Sequence, residues 1–263
     1  MQISGATALL TGASGGLGSE IARGLHRRGA KLILSGRKQG LLAPLAEELG
    51  ARVLAADLAQ DGEAERLAAE AGTVDVLVAN AALPGAARLE RLSAREAERV
   101  IDVNLRAPVL LAQALIPGML GRGRGHLVFI SSTGGKATAP GNPLYHATKF
   151  GLRGLASALR IDLHGSGVGV SCVLPGFISE AGLFAESGAQ LPRGVGTRTP
   201  RDVADAVARA VERDVAEIDV APRVLRAGTL LWHLSPDLAA RLGRRLGSEQ
   251  IADVFEQGLR EKR

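Results

Sequence analysis

Tyr145 and Lys149 stand four residues apart, so on a helix they share one face, and Ser132 closes an apolar run thirteen residues before the tyrosine. An ammonium beside a phenol favours the phenolate and brings a pKa of about 10 toward the working range, which makes a usable general acid/base. Tyr-x-x-x-Lys alone also describes an ordinary amphipathic helix pair. With Ser132 at a strand end and Asn104 upstream, the four residues Asn104, Ser132, Tyr145 and Lys149 read as a proton-transferring set.

A second group points to nucleotide chemistry. Thr11-Gly12-Ala13-Ser14-Gly15-Gly16-Leu17-Gly18 follows one apolar run and opens an amphipathic one. At such a turn the backbone must bend sharply, approach a pyrophosphate and offer helix N-terminal amides to negative charge. The glycines Gly12, Gly16 and Gly18 are spaced G-x-x-x-G-x-G; taken alone, such a turn is also a tight connector. After the next apolar run the chain reads Leu34-Ser35-Gly36-Arg37-Lys38, with an arginine where NAD-binding folds place an acid on the ribose 2′-hydroxyl. Arg37, helped by Lys38 and Ser14, favours the 2′-phosphate of NADP, so NADP(H) is expected over NAD(H). A solvated basic pair at a helix start is the alternative. Asp57-Leu58 and Asn80-Ala81-Ala82 follow further apolar runs, at positions that serve as helix caps and turns or as ligand contacts.

These residues need a frame. Short apolar runs at 6–10, 31–34, 52–55, 74–79, 127–130, 168–174 and, more weakly, 217–220 alternate with segments of helical spacing at 17–28, 41–49, 63–71, 94–120, 145–163 and 201–213. Runs without polar alternation suit strands buried on both faces. The expectation is an α/β, Rossmann-type doubly wound parallel sheet of about seven strands, helices on both faces, in a single domain spanning 1–263. Residues 177–200 are too long for a plain connection and read as a binding lid; 222–263 read as a C-terminal helical extension.

Composition removes several classes. Of 263 residues, 46% are hydrophobic and 22% charged, which suits a globular chain with a sizeable core. The single cysteine, Cys172, excludes an internal disulfide and suits a reducing, cytoplasmic setting; lying in an apolar run, it reads as a core residue. No stretch of about 18 uninterrupted apolar residues occurs, so no membrane span or export signal is expected. The net charge is +5, yet only 3% of residues are aromatic and 27 of the 32 basic residues are dispersed arginines, which argues against nucleic acid as a partner. The histidines lack metal-ligand spacing, so no metal is expected, and His146 does not share a helix face with Tyr145.

These motifs together resemble the short-chain dehydrogenase/reductase superfamily over about residues 4 to 220. Its T-G-x-x-x-G-x-G reads Thr11 to Gly18, its N-A-G reads Asn80-Ala81-Ala82, its Y-x-x-x-K reads Tyr145 to Lys149, and its P-G reads Pro175-Gly176. The resemblance implies hydride transfer between a nicotinamide cofactor and a carbonyl or alcohol carbon. It implies that Tyr145 passes the proton, Ser132 holds the substrate oxygen, Lys149 binds the nicotinamide ribose and tunes Tyr145, and Asn104 positions a water beside Lys149. Cofactor contacts are implied at Gly12, Ser14, Gly16, Leu17, Gly18, Arg37, Asp57, Leu58, Asn80, Ala81, Tyr145, Lys149, Pro175, Gly176 and Ile178. The chain departs from the pattern at Ala82, which matters only if that backbone needs positive φ. It also reads Phe177-Ile178-Ser179-Glu180 where members often carry a threonine that bonds the carboxamide, so Ser179 or backbone groups are left to substitute.

The expected partner is a small carbonyl or alcohol. The apolar groups Gly182-Leu183-Phe184-Ala185 and Leu230-Leu231-Trp232-His233-Leu234 are candidates either for the pocket of an apolar substrate or for ordinary packing. Residues 222–263 hold eight basic against five acidic residues, a net +3, which suits a subunit or lid contact, or an anionic membrane as the less favoured alternative. The resemblance also implies a homodimer or homotetramer through the helices at 94–120 and 145–163. The rival reading is a catalytically silent nucleotide-sensing or scaffold protein on the same fold, which would need the glycine turn but no tuned phenol.

Overall fold

The computed structural model describes residues 1–191 and 194–259. The apolar runs form strands β1 (Thr7–Thr11), β2 (Lys31–Gly36), β3 (Arg52–Ala55), β4 (Val76–Ala79), β5 (Gly125–Ile130), β6 (Val168–Pro175) and β7 (Glu217–Val220). They pair in parallel in one sheet, in the order β3-β2-β1-β4-β5-β6-β7. Successive strand residues turn to opposite faces, and both faces are covered. Leu10, Val78, Val128 and Val173 enter a core beneath α1 (Gly16–His26), α2 (Gln39–Leu49) and α8 (Pro200–Arg213). Leu9, Leu77, Leu127 and Phe129 enter a second core. That one lies beneath α3 (Glu63–Ala71), α4 (Ala94–Ile101), α5 (Ala107–Arg122) and α6 (Pro143–Asp162). Two-sided burial is the reason these strands carry no polar alternation.

β7 is the faint strand in the sequence because it is an edge with a charged face. Ile218 and Val220 are buried, while Glu217 and Asp219 take the Lys136 ammonium at 2.6 and 2.7 Å, and Glu217 also pairs with Arg153 at 2.6 Å. Chain order reverses between β1 and β4, which opens a crevice at the carboxyl ends of the strands.

One expected helix is two. The run at 94–120 breaks into α4 and α5 around a π-helical turn, Asp102–Arg106, with Asn104 inside it. The stretch Ala94–Arg122 is long and apolar enough by composition to cross a membrane, but Val100, Leu111, Leu115 and Met119 are spent on the sheet, buried in the core. The segment 177–200 carries the short helix α7 (Gly182–Ser187) and is pinched at its base by a bridge between Ile178 and Arg198; its residues 192–193 lie outside the described residues. The tail forms α9 (Arg223–Leu234), α10 (Pro236–Arg245) and α11 (Ser248–Gly258). Arg260, Glu261, Lys262 and Arg263, counted in its charge, lie outside the described residues. α11 closes onto the 177–200 segment: a Cβ on Gly258 would run into the backbone of Ser187, and Leu259 is fully buried.

Candidate active site

The turn between β1 and α1 is shaped by what its glycines exclude. Gly12 has φ of +66°, and a Cβ there would stand 2.8 Å from Cα of Ala81. A Cβ on Gly18 would collide with the Gly12 carbonyl, and one on Gly16 would stand 2.5 Å from Cβ of Ala181 in the 177–200 segment. The turn therefore touches both the β4 end and the segment above it. Thr11, buried, fastens it: its Oγ1 accepts from the backbone N–H groups of Asn80 and Ala81, both at 3.1 Å. The Asn80 amide in return donates to the carbonyls of Thr11 and Gly12 at 3.0 and 3.2 Å. Thr11 was legible only as a motif letter, since its partners lie 69 and 70 residues away.

Over this turn opens a cavity of about 720 Å³. Gly12, Ser14, Gly16, Leu17, Gly18, Arg37, Asp57, Leu58, Asn80 and Ala81 all border it, as do Pro175, Gly176 and Ile178 from the end of β6. Lys38 does not. Arg37 is exposed, and no carboxylate pairs with it among the described residues. A backbone cradle without side chains, with a free guanidinium at the β2 end, fits a dinucleotide that carries an additional phosphate. Across the crevice Arg99 of α4 reaches to 3.9 Å from the Asp57 carboxylate, and its buried Nε has no partner. No motif announces Arg99, because its relation to Asp57 is created by packing α4 on the sheet.

At the other end of the cavity Ser132, just past β5, meets Tyr145 and Lys149 of α6. The Ser132 side chain stands close enough to the Tyr145 hydroxyl to draw its pKa down. Ser132 Oγ also accepts from Gly134 N–H at 3.0 Å and donates to the Pro175 carbonyl at 3.3 Å. Lys149 Nζ donates to the Ile130 carbonyl at 2.8 Å and lies 5.5 Å from the centroid of the Tyr145 ring. Burial pushes the Lys149 ammonium down to about 8. Burial also pushes the Tyr145 phenol up, against a smaller downward pull from Ser132, which corrects the expectation of a phenol shifted toward ionisation. The ammonium lies over the ring and is anchored to Ile130, and burial is the larger influence on the phenol. The phenol is therefore in its protonated form at neutral pH.

Asn104 stands behind the cavity wall. It does not border the cavity: its Oδ1 accepts from Leu83 N–H at 2.7 Å, and its Nδ2 donates to the Leu83 carbonyl at 3.0 Å and to Thr148 Oγ1 at 3.3 Å. With both amide hydrogens committed, the side chain ties the π turn to the loop after β4 and to the α6 face behind Lys149. Ser179 is turned elsewhere: its hydroxyl and N–H both donate to the Arg198 carbonyl, at 3.2 and 2.9 Å, and it does not border the cavity. Ala82 is not at positive φ, so the small change from glycine carries no strain.

His146 has a larger place than its helix position suggested. It borders the cavity, with Nδ1 against the Gly134 carbonyl at 2.8 Å and Nε2 accepting from Ala139 N–H at 3.1 Å. That pairing requires a neutral ring, and burial lowers its pKa accordingly. His146 thus holds the loop that follows Ser132. Cys172 is buried, and burial pushes its thiol up to about 12, as for a core residue. Of the two apolar groups, Leu183 and Phe184 do border the cavity, and Phe184 packs on Phe177 with ring centroids 5.0 Å apart. None of Leu230 to Leu234 does; the tail contributes Leu225 and Thr229 from α9 and Ile251, Ala252 and Phe255 from α11.

Known proteins are similar to this chain in sequence and fold. The family model described as short chain dehydrogenase matches residues 6–191. The ketoacyl reductase HetN of Nostoc sp. is 34% identical over 227 residues, covering 83% of this chain and 79% of the relative. The 3-oxoacyl-[acyl-carrier-protein] reductase FabG of Rickettsia typhi is 36% identical over 180 residues, covering 68% of this chain and 75% of the relative. Among solved structures, the closed form of a serine dehydrogenase complexed with NADP+ superimposes with a TM-score of 0.74 at 32% identity, covering 83% of this chain and 95% of that one.

Proposed function

The chain belongs to the short-chain dehydrogenase family and is an oxidoreductase acting on CH-OH or C=O groups; from this premise we propose that it is an NADP(H)-dependent reductase of apolar carbonyl compounds. The observation that carries the reading is the convergence of Ser132 and a protonated Tyr145 on one end of a cavity whose other end is a glycine cradle beside Arg37. The nicotinamide group supplies the hydride when bound. Ser132 Oγ turns its one hydrogen from the Pro175 carbonyl to the substrate's carbonyl oxygen, and the Tyr145 hydroxyl donates its proton as negative charge grows there. Lys149 steadies the phenolate left behind until solvent returns the proton. Asn104 acts at one remove, by fixing the π turn and Thr148 beside Lys149. Phe177, Phe184, Leu225 and Phe255 give the substrate end an apolar wall, which favours chains such as acyl groups over short polar ketones. The ketoacyl reductase names of the relatives support that choice.

The reading extends to a homodimer or homotetramer through the outer faces of α5 and α6, where Leu120 and Ile161 are exposed, and to work in a reducing, cytoplasmic compartment. The decisive experiment is a parallel equilibrium titration with NADPH and NADH on the natural chain and on Arg37→Ala. NADPH is expected to bind more tightly, and the substitution to erase about 10- to 100-fold of that advantage, the worth of one charge-assisted contact. Equal or better binding of NADH by the natural chain would remove the NADP assignment and leave the oxidoreductase standing.

A further inference from the structure

Seven of the twelve large apolar side chains exposed among the described residues lie between Val224 and Val254, while the other five are scattered along the rest of the chain. Leu230 and Leu234 project from α9 one turn apart, 66% and 84% exposed. Leu238, Leu242 and Leu246 repeat the four-residue step along α10 and its end, all exposed. Single exposed leucines are ordinary, but a row of them marks a surface with a partner. Nor is α9 loosely placed, since its inner side is used. Leu225 and Thr229 wall the cavity, and Trp232 packs 5.7 Å from the ring of Phe150.

The same two helices carry Arg223, Arg226, Arg241, Arg244 and Arg245 against one acid, Asp237. Arg226 stands 3.8 Å from Asp219; the other four make no ion pair among the described residues. Leu238, Arg241, Leu242 and Arg245 fall on one face of α10 by their spacing. From this combination we infer that α9 and α10 form a docking face for an anionic lipid surface, the leucines entering the headgroup boundary and the arginines meeting acidic headgroups. A second copy of the chain fits less well. In a twofold contact the patch meets itself, which opposes five arginines to five with a single acid from each chain. The inference stands apart from the reductase reading, because it concerns the outer side of α9, whose inner side borders the cavity, and α10, which does not border it.

Flotation of the full chain with phosphatidylcholine vesicles, with and without phosphatidylglycerol and at low and high salt, tests it. The protein is expected to rise with the anionic vesicles at low salt and to stay behind with phosphatidylcholine alone or at high salt. The variants Arg241→Gln/Arg244→Gln/Arg245→Gln and Leu234→Ser/Leu238→Ser/Leu242→Ser should each lose about 100-fold in partitioning. All substituted side chains are exposed, and an unchanged circular-dichroism melting curve verifies that each variant is folded. Three results overturn the inference: no flotation in any condition, flotation indifferent to phosphatidylglycerol, or variants that float like the natural chain. If the natural chain does not float while light scattering shows the leucine variant dissociating to a smaller species, the occupant is a second copy.

Discussion

The carboxyl edge of the sheet and the C-terminal tail border the same cavity, yet they are built in opposite ways. At the sheet edge nearly every polar side chain is held by backbone: Thr11 and Asn80 by each other's strands, Asn104 by Leu83, Lys149 by Ile130, His146 by Gly134 and Ala139. In the tail no helix has a side-chain N-cap, most apolar residues of α9 and α10 face outward, and cavity contacts come from a few residues such as Leu225 and Phe255. The contrast teaches a division of labour. On the function proposed above, chemistry that must be positioned to a fraction of an ångström falls where rigid strands end, whereas the choice of substrate falls on helices whose packing tolerates change.

That division breaks most visibly if Tyr145→Phe retains turnover. Removing the proton donor should lower kcat by about 100- to 10,000-fold with nucleotide affinity unchanged, as stopped-flow turnover and a parallel titration would read. Full activity in that variant would overturn the assignment of Tyr145 as the proton donor. Lys149→Met sharpens the comparison from the side of stability. The lysine titrates near 8 in the folded chain against 10.5 when free, so below pH 8 both states hold the proton and the folded state bears the whole cost of a buried charge. Between these values only the unfolded state binds the proton, and stability rises with pH. The pKa difference corresponds to about 3 kcal/mol, so Lys149→Met should be inactive yet more stable at pH 7 by about 2 kcal/mol, after loss of the Ile130 hydrogen bond. That gain should vanish toward pH 10 in denaturant melts; a gain independent of pH would assign it to packing instead. The smallest effect belongs to the tail: Phe255→Ala should raise KM for a long-chain carbonyl about tenfold while leaving kcat and NADPH affinity in place. A fall in kcat equal to that of Tyr145→Phe would show that the tail positions chemistry after all.

Legibility followed the same line. The seven strands were readable because two-sided burial leaves continuous apolar runs, and even β7 was found from Ile218 and Val220, faint as its charged face made it. The Tyr145 and Lys149 pairing was readable because helical spacing is local. The break of the 94–120 helix was not, since the π turn at Asn104 answers to Leu83, 21 residues away. Two alternatives were left open by local sequence: Ser179 or backbone for the carboxamide, where Ser179 turns to the Arg198 carbonyl, and pocket wall or ordinary packing for Leu230 to Leu234, where α9 turns Leu225 and Thr229 to the cavity instead.

By itself, then, the sequence determined what is encoded locally: the order of elements, the glycine turn that only residues without side chains permit, and the residue types able to move a proton. Tertiary structure alone decided the electrostatic state of the site. Whether Lys149 lowers the Tyr145 pKa or is itself lowered depends on how much water each loses and where the ammonium lies, and those are set by the Ile130 carbonyl and the packing of α6 on the sheet. Spacing along a chain carries no information about solvent, whereas burial does, and here burial reversed the expected direction.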